Sequence, residues 1–261
     1  MTTESGKNWT LSLGDCVDIV GAMPENSIHL TVTSPPYLSL FVYSDSGRDM
    51  GNSRSDAEFY EGFEFLIAQL LRVTKPGRQV VVDLMNVPAM KERDGYQGIK
   101  DFRGEVIRRF IGAGFIFHSE HCCWKDPLLE AVRTKSHALM HKTLVKDSAQ
   151  CRAGLAQYLL AFRKPGENPE PVAHEGGLQS FYGENPPTTG TLSHERWRRY
   201  ASPVWDDIDF SNTLNGTKGR DASDERHICP MALGLIERAE HLWSNPGDLV
   251  LDPFSGVGST G

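Results

Sequence analysis

The chain has 261 residues, 39% hydrophobic and 23% charged, which excludes wholesale disorder and suits one large domain or one domain with an inserted lobe. No apolar run approaches the roughly 20 residues that span a bilayer, and the polar stretch from Met1 to Trp9 has no signal core, so a cytoplasmic protein is expected. The net charge of −7 argues against a general nucleic-acid coat, although residues 91–164 hold 14 basic and 8 acidic side chains; that basic middle is either a face for a polyanion or a solvated mixed surface.

In chain order, Trp9, Leu11 and Leu13 followed by Gly14-Asp15 read as a short strand and turn, then a small helix ending near Met23-Pro24. Ile28 to Thr33, rich in β-branched residues, reads as a buried strand. It stops at Ser34-Pro35-Pro36-Tyr37, because two prolines cannot continue a central strand. Residues 38–56 are a polar loop. Phe59, Phe63, Leu66, Ile67, Leu70 and Leu71 recur at helical spacing across 57–75, and Lys75-Pro76-Gly77 ends that helix. Strands are expected at 79–84, 115–118 and 157–162, with a helix over 102–112.

Residues 164–226 are rich in Pro, Gly, Asn and Ser and read as an irregular lobe, in which Phe181, Tyr182, Trp197, Tyr200 and Trp205 are the aromatics available to pack. A helix resumes near Pro230 and runs to about Trp243. A strand over 247–252 then leads into Pro253-Phe254-Ser255-Gly256-Val257-Gly258. Alternation of strand and helix argues for an α/β fold with a mostly parallel sheet.

Two loops carry chemistry. Ser34-Pro35-Pro36-Tyr37 lies at the carboxyl end of a buried strand, where open α/β sheets place ligands. Ser34 is an acceptor for an amine, Pro35 a carbonyl aimed by a fixed φ, and Tyr37 a flat face for a base. Alone, the dipeptide is a rigid turn. Asp252-Pro253-Phe254-Ser255-Gly256-Val257-Gly258 lets backbone approach a ligand closely, or is a tight turn; no Lys follows to make it a phosphate loop.

In this order the two loops resemble the DNA amino-methyltransferases of the permuted β arrangement. There an (Asp/Ser/Asn)-Pro-Pro-Tyr loop comes first, a target-recognition lobe follows, and Asp-Pro-Phe-x-Gly-x-Gly comes last. Leu13-Gly14-Asp15-Cys16, Leu71 to Gly77 and Pro246 to Phe254 resemble the family's flanking runs.

The resemblance implies a circularly permuted, Rossmann-like sheet with an inserted irregular recognition lobe. Residues 1–163 would be the catalytic half, 164–226 the lobe and 227–261 the start of the cofactor half. It implies S-adenosylmethionine as cofactor, bound at Asp252, Pro253, Phe254, Ser255, Gly256 and Gly258. It implies double-stranded DNA as partner, with a flipped base held by Ser34, Pro35, Pro36 and Tyr37. A cognate restriction endonuclease is a further implied partner.

Ser at position 34 points to cytosine N4 over adenine N6, the Asp form's usual target. Carbon-5 methylation is disfavoured, since no Pro-Cys dipeptide occurs. Protein glutamine methyltransferases place Asn where Ser34 stands and order the loops oppositely. Family members continue beyond the glycine loop with a helix and an acid-bearing strand, so the resemblance also implies a truncated chain, with a catalytically inactive DNA-binding fragment as an alternative.

Other features have plainer readings. The five cysteines, Cys16, Cys122, Cys123, Cys151 and Cys229, form no CxxC pair, so no disulfide framework or zinc site is expected. His118 and His121 fall on opposite faces of a strand pattern, and His137 and His141 lack an HExxH motif, so no metal is expected. Arg196, Trp197, Arg198 and Arg199 read equally as DNA contacts or as an exposed helix with a buried Trp. Arg133, Lys135, Lys142 and Lys146 are the other candidates for backbone contacts.

Overall fold

The structure, a computed structural model, describes residues 2–38, 46–134, 137–174, 191–214 and 230–261. Residues 39–45 of the polar loop, Lys135, Phe181, Tyr182, Cys229 and the boundary expected at 226 lie outside the described residues, as do the side chains of Arg133 and His137.

The chain opens with a hairpin, β1 (Thr2–Ser5) on β2 (Thr10–Leu13), whose first strand is too polar to be read from its sequence. Helix α1 (Cys16–Gly21) starts where the Asp15 side chain accepts from Val17 N and Asp18 N. Strand β3 (Ile28–Thr33) follows as expected.

Helix α2 (Asp56–Val73) is capped by Ser55 and buries Phe59, Phe63, Leu66, Ile67 and Leu70, each worth about 1.5–3 kcal/mol when fully covered. Strand β4 (Thr74–Met85) begins directly after it, earlier than expected. Gly77, at φ +73°, passes so close to Asn168 that a Cβ would meet it at 2.8 Å.

A small hairpin, β5 (Val87–Ala89) on β6 (Gly98–Lys100), encloses α3 (Lys91–Asp94). Helix α4 (Phe102–Ala113) ends on Gly114 at φ +109°. Strand β7 (Ile116–Cys123) runs five residues past the expected end, with an irregularity between Phe117 and Ser119.

Helices α5 (Pro127–Thr134) and α6 (His141–Lys146) precede β8 (Gln157–Arg163). In the stretch expected to be irregular lie α7 (Thr191–Tyr200) and the short β9 (Val204–Trp205), whose Trp205 is fully buried. Helix α8 (Leu233–Trp243) and β10 (Val250–Leu251) close the chain.

Six described strands form one sheet in the order β10-β3-β4-β8-β7-β9. β10, β3 and β4 are mutually parallel, β8 is reversed, and β7 and β9 again run with β4. Helices α1, α2 and α4 cover one face through a core that includes Val80, Val82 and Phe162, while Leu235, Ile236 and Ala239 of α8 cover Leu30, Val32 and Val81 on the other. The last strand in the chain is therefore seated beside one of the first. The carboxyl ends of β10, β3, β4, β7 and β9, with the amino end of β8, share one rim.

Candidate active site

At that rim, Thr33 is buried and Ser34 half-buried; Pro35 is buried, and Pro36 and Tyr37 are half-buried. The hydroxyls of Ser34 and Tyr37 lie 3.5 Å apart, and Phe102 meets Tyr37 edge-on at 5.9 Å. The loop leaves the site through Leu38, a buried residue at φ +56°, a left-handed conformation costing a branched side chain about 1–2 kcal/mol.

The second loop leaves β10 next door. Asp252 Oδ1 accepts from Thr33 Oγ1 at 2.7 Å and Phe254 N at 3.0 Å, and Oδ2 accepts from Thr260 Oγ1 at 2.8 Å. Burial raises the Asp252 carboxyl above its usual range, and these three donors pull it back. The Thr33 bond joins residues 219 apart in sequence and ties the two expected site loops together. Phe254 packs on the same core as Tyr37. Gly256 and Gly258 take φ +53° and +81°, and a Cβ built on Gly258 would meet nothing within 4 Å, so the turn presents bare backbone to open space. Ser259 Oγ is buried without a hydrogen-bond partner among the described residues. Such a turn fits a ligand that comes close to the main chain and supplies polar atoms of its own.

Sequence reasoning missed a third group. Thr33 pairs with Val82, the last pair of the β3–β4 ladder, and Asp83 follows Val82 in β4; a chain of contacts through the Tyr37 hydroxyl and Gln157 joins it to Ser34. Asp83 is buried, and burial pushes its carboxyl up to about 6, against the opposing pull of Gln157 and the Lys125 ammonium. Gln157 Nε2 donates to both Asp83 oxygens at 2.7 Å and lies 3.4 Å from the Tyr37 hydroxyl, while Lys125 Nζ donates to Gln157 Oε1 at 2.7 Å. An acid inside the apolar run Val80-Val81-Val82-Asp83-Leu84 was the available signal.

The basic helix sits elsewhere. Tyr200 stacks on His241, near the end of α8 that leads to β10, and burial, then His174 and Arg196, lower the His241 pKa to about 4. Arg199 is 3.6 Å from Asp207, which Arg238 also holds at 2.6 Å. Trp197 is 60% exposed and Tyr200 buried, so Tyr200 is the aromatic that packs. Lys142 and Lys146 are exposed on α6.

His121 stacks on Trp205 at 4.0 Å and bonds the Ser202 carbonyl, whereas His118 is bonded to Ser119. Neither they nor His141 joins a group of three metal-capable side chains among the described residues. His29, Glu170 and Asp248 do gather, below the sheet's opposite rim. There the Leu249 N–H donates to His29 Nδ1, which leaves the proton on Nε2 facing the two carboxylates. Lys75 and Arg78 also bind those acids, so the cluster is a charge network rather than an open coordination site.

Known proteins share this fold. The family model described as DNA methylase, for N6 and N4 methyltransferases, matches residues 28–261. Type II methyltransferase M.MjaI of Methanocaldococcus jannaschii is 24% identical over 90% of this chain and 77% of its own. Type II methyltransferase M.BglII of Bacillus subtilis is 25% identical over 95% of this chain and 59% of its own, so the chain spans little more than half of that relative. Among solved structures, TTHA0409 of Thermus thermophilus, a candidate DNA modification methylase complexed with S-adenosyl-L-methionine, superposes with a TM-score of 0.62 at 22% identity, covering 95% of this chain and 81% of that one. PvuII DNA methyltransferase, cytosine-N4-specific, gives 0.59 at 19% identity, over 95% and 74%. With the family model matched across nearly the whole sequence, the chain belongs to the N6/N4 DNA methylase family.

Proposed function

We propose that this chain methylates the exocyclic amine of a flipped base in duplex DNA, cytosine N4 in preference to adenine N6. The cofactor is S-adenosylmethionine, which when bound supplies an electrophilic methyl group. The observation that supports the reading is the Thr33–Asp252 bond, which ties the Ser34-Pro35-Pro36-Tyr37 loop to the glycine turn on the neighbouring parallel strand.

An exocyclic amine is a weak nucleophile because its lone pair is delocalised into the ring. Ser34 Oγ and the Pro35 carbonyl accept its two N–H groups, draw the nitrogen towards tetrahedral geometry and free that pair. Tyr37 supports the base. The glycine turn holds the donor through backbone contacts at Gly256 and Gly258, with Asp252, Pro253, Phe254 and Ser255 shaping it. As the nitrogen gains the methyl, the sulfonium's bond to that methyl would break to leave a neutral thioether, and the nitrogen sheds a proton, which the Asp83 carboxylate, joined to Ser34 through Tyr37 and Gln157, takes. Positioning and electrostatics supply the acceleration, with no covalent enzyme intermediate.

Exposed Trp197 and Arg198 on α7, and Lys142 and Lys146 on α6, are assigned to DNA, with Arg196 and Arg199 in supporting contacts. The cytosine preference rests on Ser34, a neutral acceptor where an adenine enzyme usually has Asp. Residues 164–226 serve target recognition, and a restriction endonuclease of the same specificity is the expected companion. Nucleoside analysis of DNA incubated with the protein and S-adenosylmethionine tests the reading. N4-methylcytosine is expected; N6-methyladenine would transfer the specificity to adenine, and neither product would overturn the proposal.

A further inference from the structure

Four chain segments converge on Asp83 and its partner Gln157 at the rim. From β8 comes Gln157, from β7 the buried Cys123, from the turn after β7 Lys125, and from the loop after β3 Tyr37. Burial, and then Asp83, pushes the Cys123 thiol up to about 12, so it stays neutral across the working range. An amide side chain has a donor end and an acceptor end, and either could face a carboxyl: N–H towards an ionised acid, or C=O towards a protonated one. An ammonium has donors only. With Lys125 Nζ 2.7 Å from Oε1, the amide is fixed with its N–H end on Asp83, where it supports the ionised form. Lys125 is itself seated over the Phe210 ring at 4.7 Å.

We infer that Lys125 is a positioning residue for methyl transfer: by orienting the Gln157 amide it keeps Asp83 an anionic proton acceptor, linked to Ser34 through Gln157 and the Tyr37 hydroxyl. The geometry has one more consequence. Phe210 belongs to the segment that follows β9, and its ring holds the Lys125 ammonium, so the charge behind Gln157 is tied to the chain that continues from the basic helix α7. The inference rests on the proposed methylation, but its first readout does not need activity.

The test is a carbon-13 titration of Asp carboxyls in the whole protein, with Asp83 assigned by its loss in Asp83→Asn. Lys125→Met is expected to move the Asp83 midpoint upward by about one pH unit, as removal of a nearby opposite charge does. The acidic limb of the kcat/KM profile should move with it. Lys125→Arg should restore both, and S-adenosylmethionine affinity should stay within about twofold of wild type. If Lys125→Met does not fold, Lys125→Gln, which retains an N–H donor without the charge, should shift the midpoint in the same direction by less. A midpoint that stays in place in the folded variant overturns the role of Lys125. If the midpoint moves but wild-type protein methylates no DNA, the assignment of Lys125 to the carboxyl stands and the proposed reaction falls.

Discussion

Replacing Thr33 by Val removes one hydroxyl at nearly constant volume from a side chain only 2% exposed. Asp252 Oδ1 then keeps Phe254 N alone, and Oδ2 keeps Thr260. A hydrogen bond to a charged buried acceptor contributes about 1.5–3 kcal/mol, and for a chain this size each kcal/mol shifts the melting temperature by about 2–4 °C, so a fall of about 6 °C is expected near neutral pH. The pH dependence has a definite sign. The folded carboxyl of Asp252 already titrates above its unfolded value, and Thr33 is the largest influence holding it down. Removing Thr33 raises it further, so the added cost is smallest where the acid is protonated in both states and grows as pH rises through the folded pKa. Calorimetric melting at about pH 4 and about pH 7.5 reads this directly. The glycine turn also loses its tie to β3, so S-adenosylmethionine should bind about 10-fold more weakly, about 1.4 kcal/mol. Thr33→Ser should behave as wild type. Unchanged melting and unchanged affinity in Thr33→Val, or a larger loss at pH 4 than at pH 7.5, would refute the claim that this bond joins the two loops.

Further outcomes follow from individual side chains. Asp83→Asn should abolish methylation yet stabilise the protein above about pH 6, by about 3 kcal/mol from a shift of 3.8 to about 6; the gain should fade as pH drops towards 3.8, where the acid is neutral in both states. Denaturant titration at two pH values measures it. Gly258→Val, forced to φ +81°, should weaken cofactor binding at least 10-fold by calorimetry while leaving the β3 loop intact. Trp197 and Trp205 should part company. Trp205→Ala should cost about 3–5 kcal/mol of stability, whereas Trp197→Ala should leave melting unchanged and weaken DNA binding by about 1–3 kcal/mol in a filter or anisotropy assay.

Much of the fold was legible because local and global preferences agree. In α2 the apolar residues recur at helical spacing and every one of Phe59, Phe63, Leu66, Ile67 and Leu70 is buried; in β3 a run rich in β-branched residues is buried at all but His29 because helices cover both faces. Proline and glycine marked the two loops for the same reason, since each dictates backbone conformation whatever its surroundings. Other elements depend on partners that a linear reading cannot supply. β9 is two residues long and is a strand only because it pairs with Cys122 and Cys123 of β7. The second half of β7, Ser119 to Cys123, is polar and gains its strand conformation from β8. Asp83 and Gln157 are 74 residues apart, and their bond follows from the reversed β4–β8 pairing rather than from any local motif.

The claim that Ser34 holds an amine beside a methyl donor seated on the glycine turn is tested most directly by labelled methyl transfer. Wild-type protein and Ser34→Ala are each given S-adenosylmethionine carrying an isotopic methyl group and duplex DNA, with cofactor affinity measured in parallel. Label should enter DNA with wild type and fall by about 100-fold with Ser34→Ala at unchanged cofactor affinity, the scale for losing one group that acts on the transition state. Label entering DNA at the wild-type rate with Ser34→Ala would contradict the account.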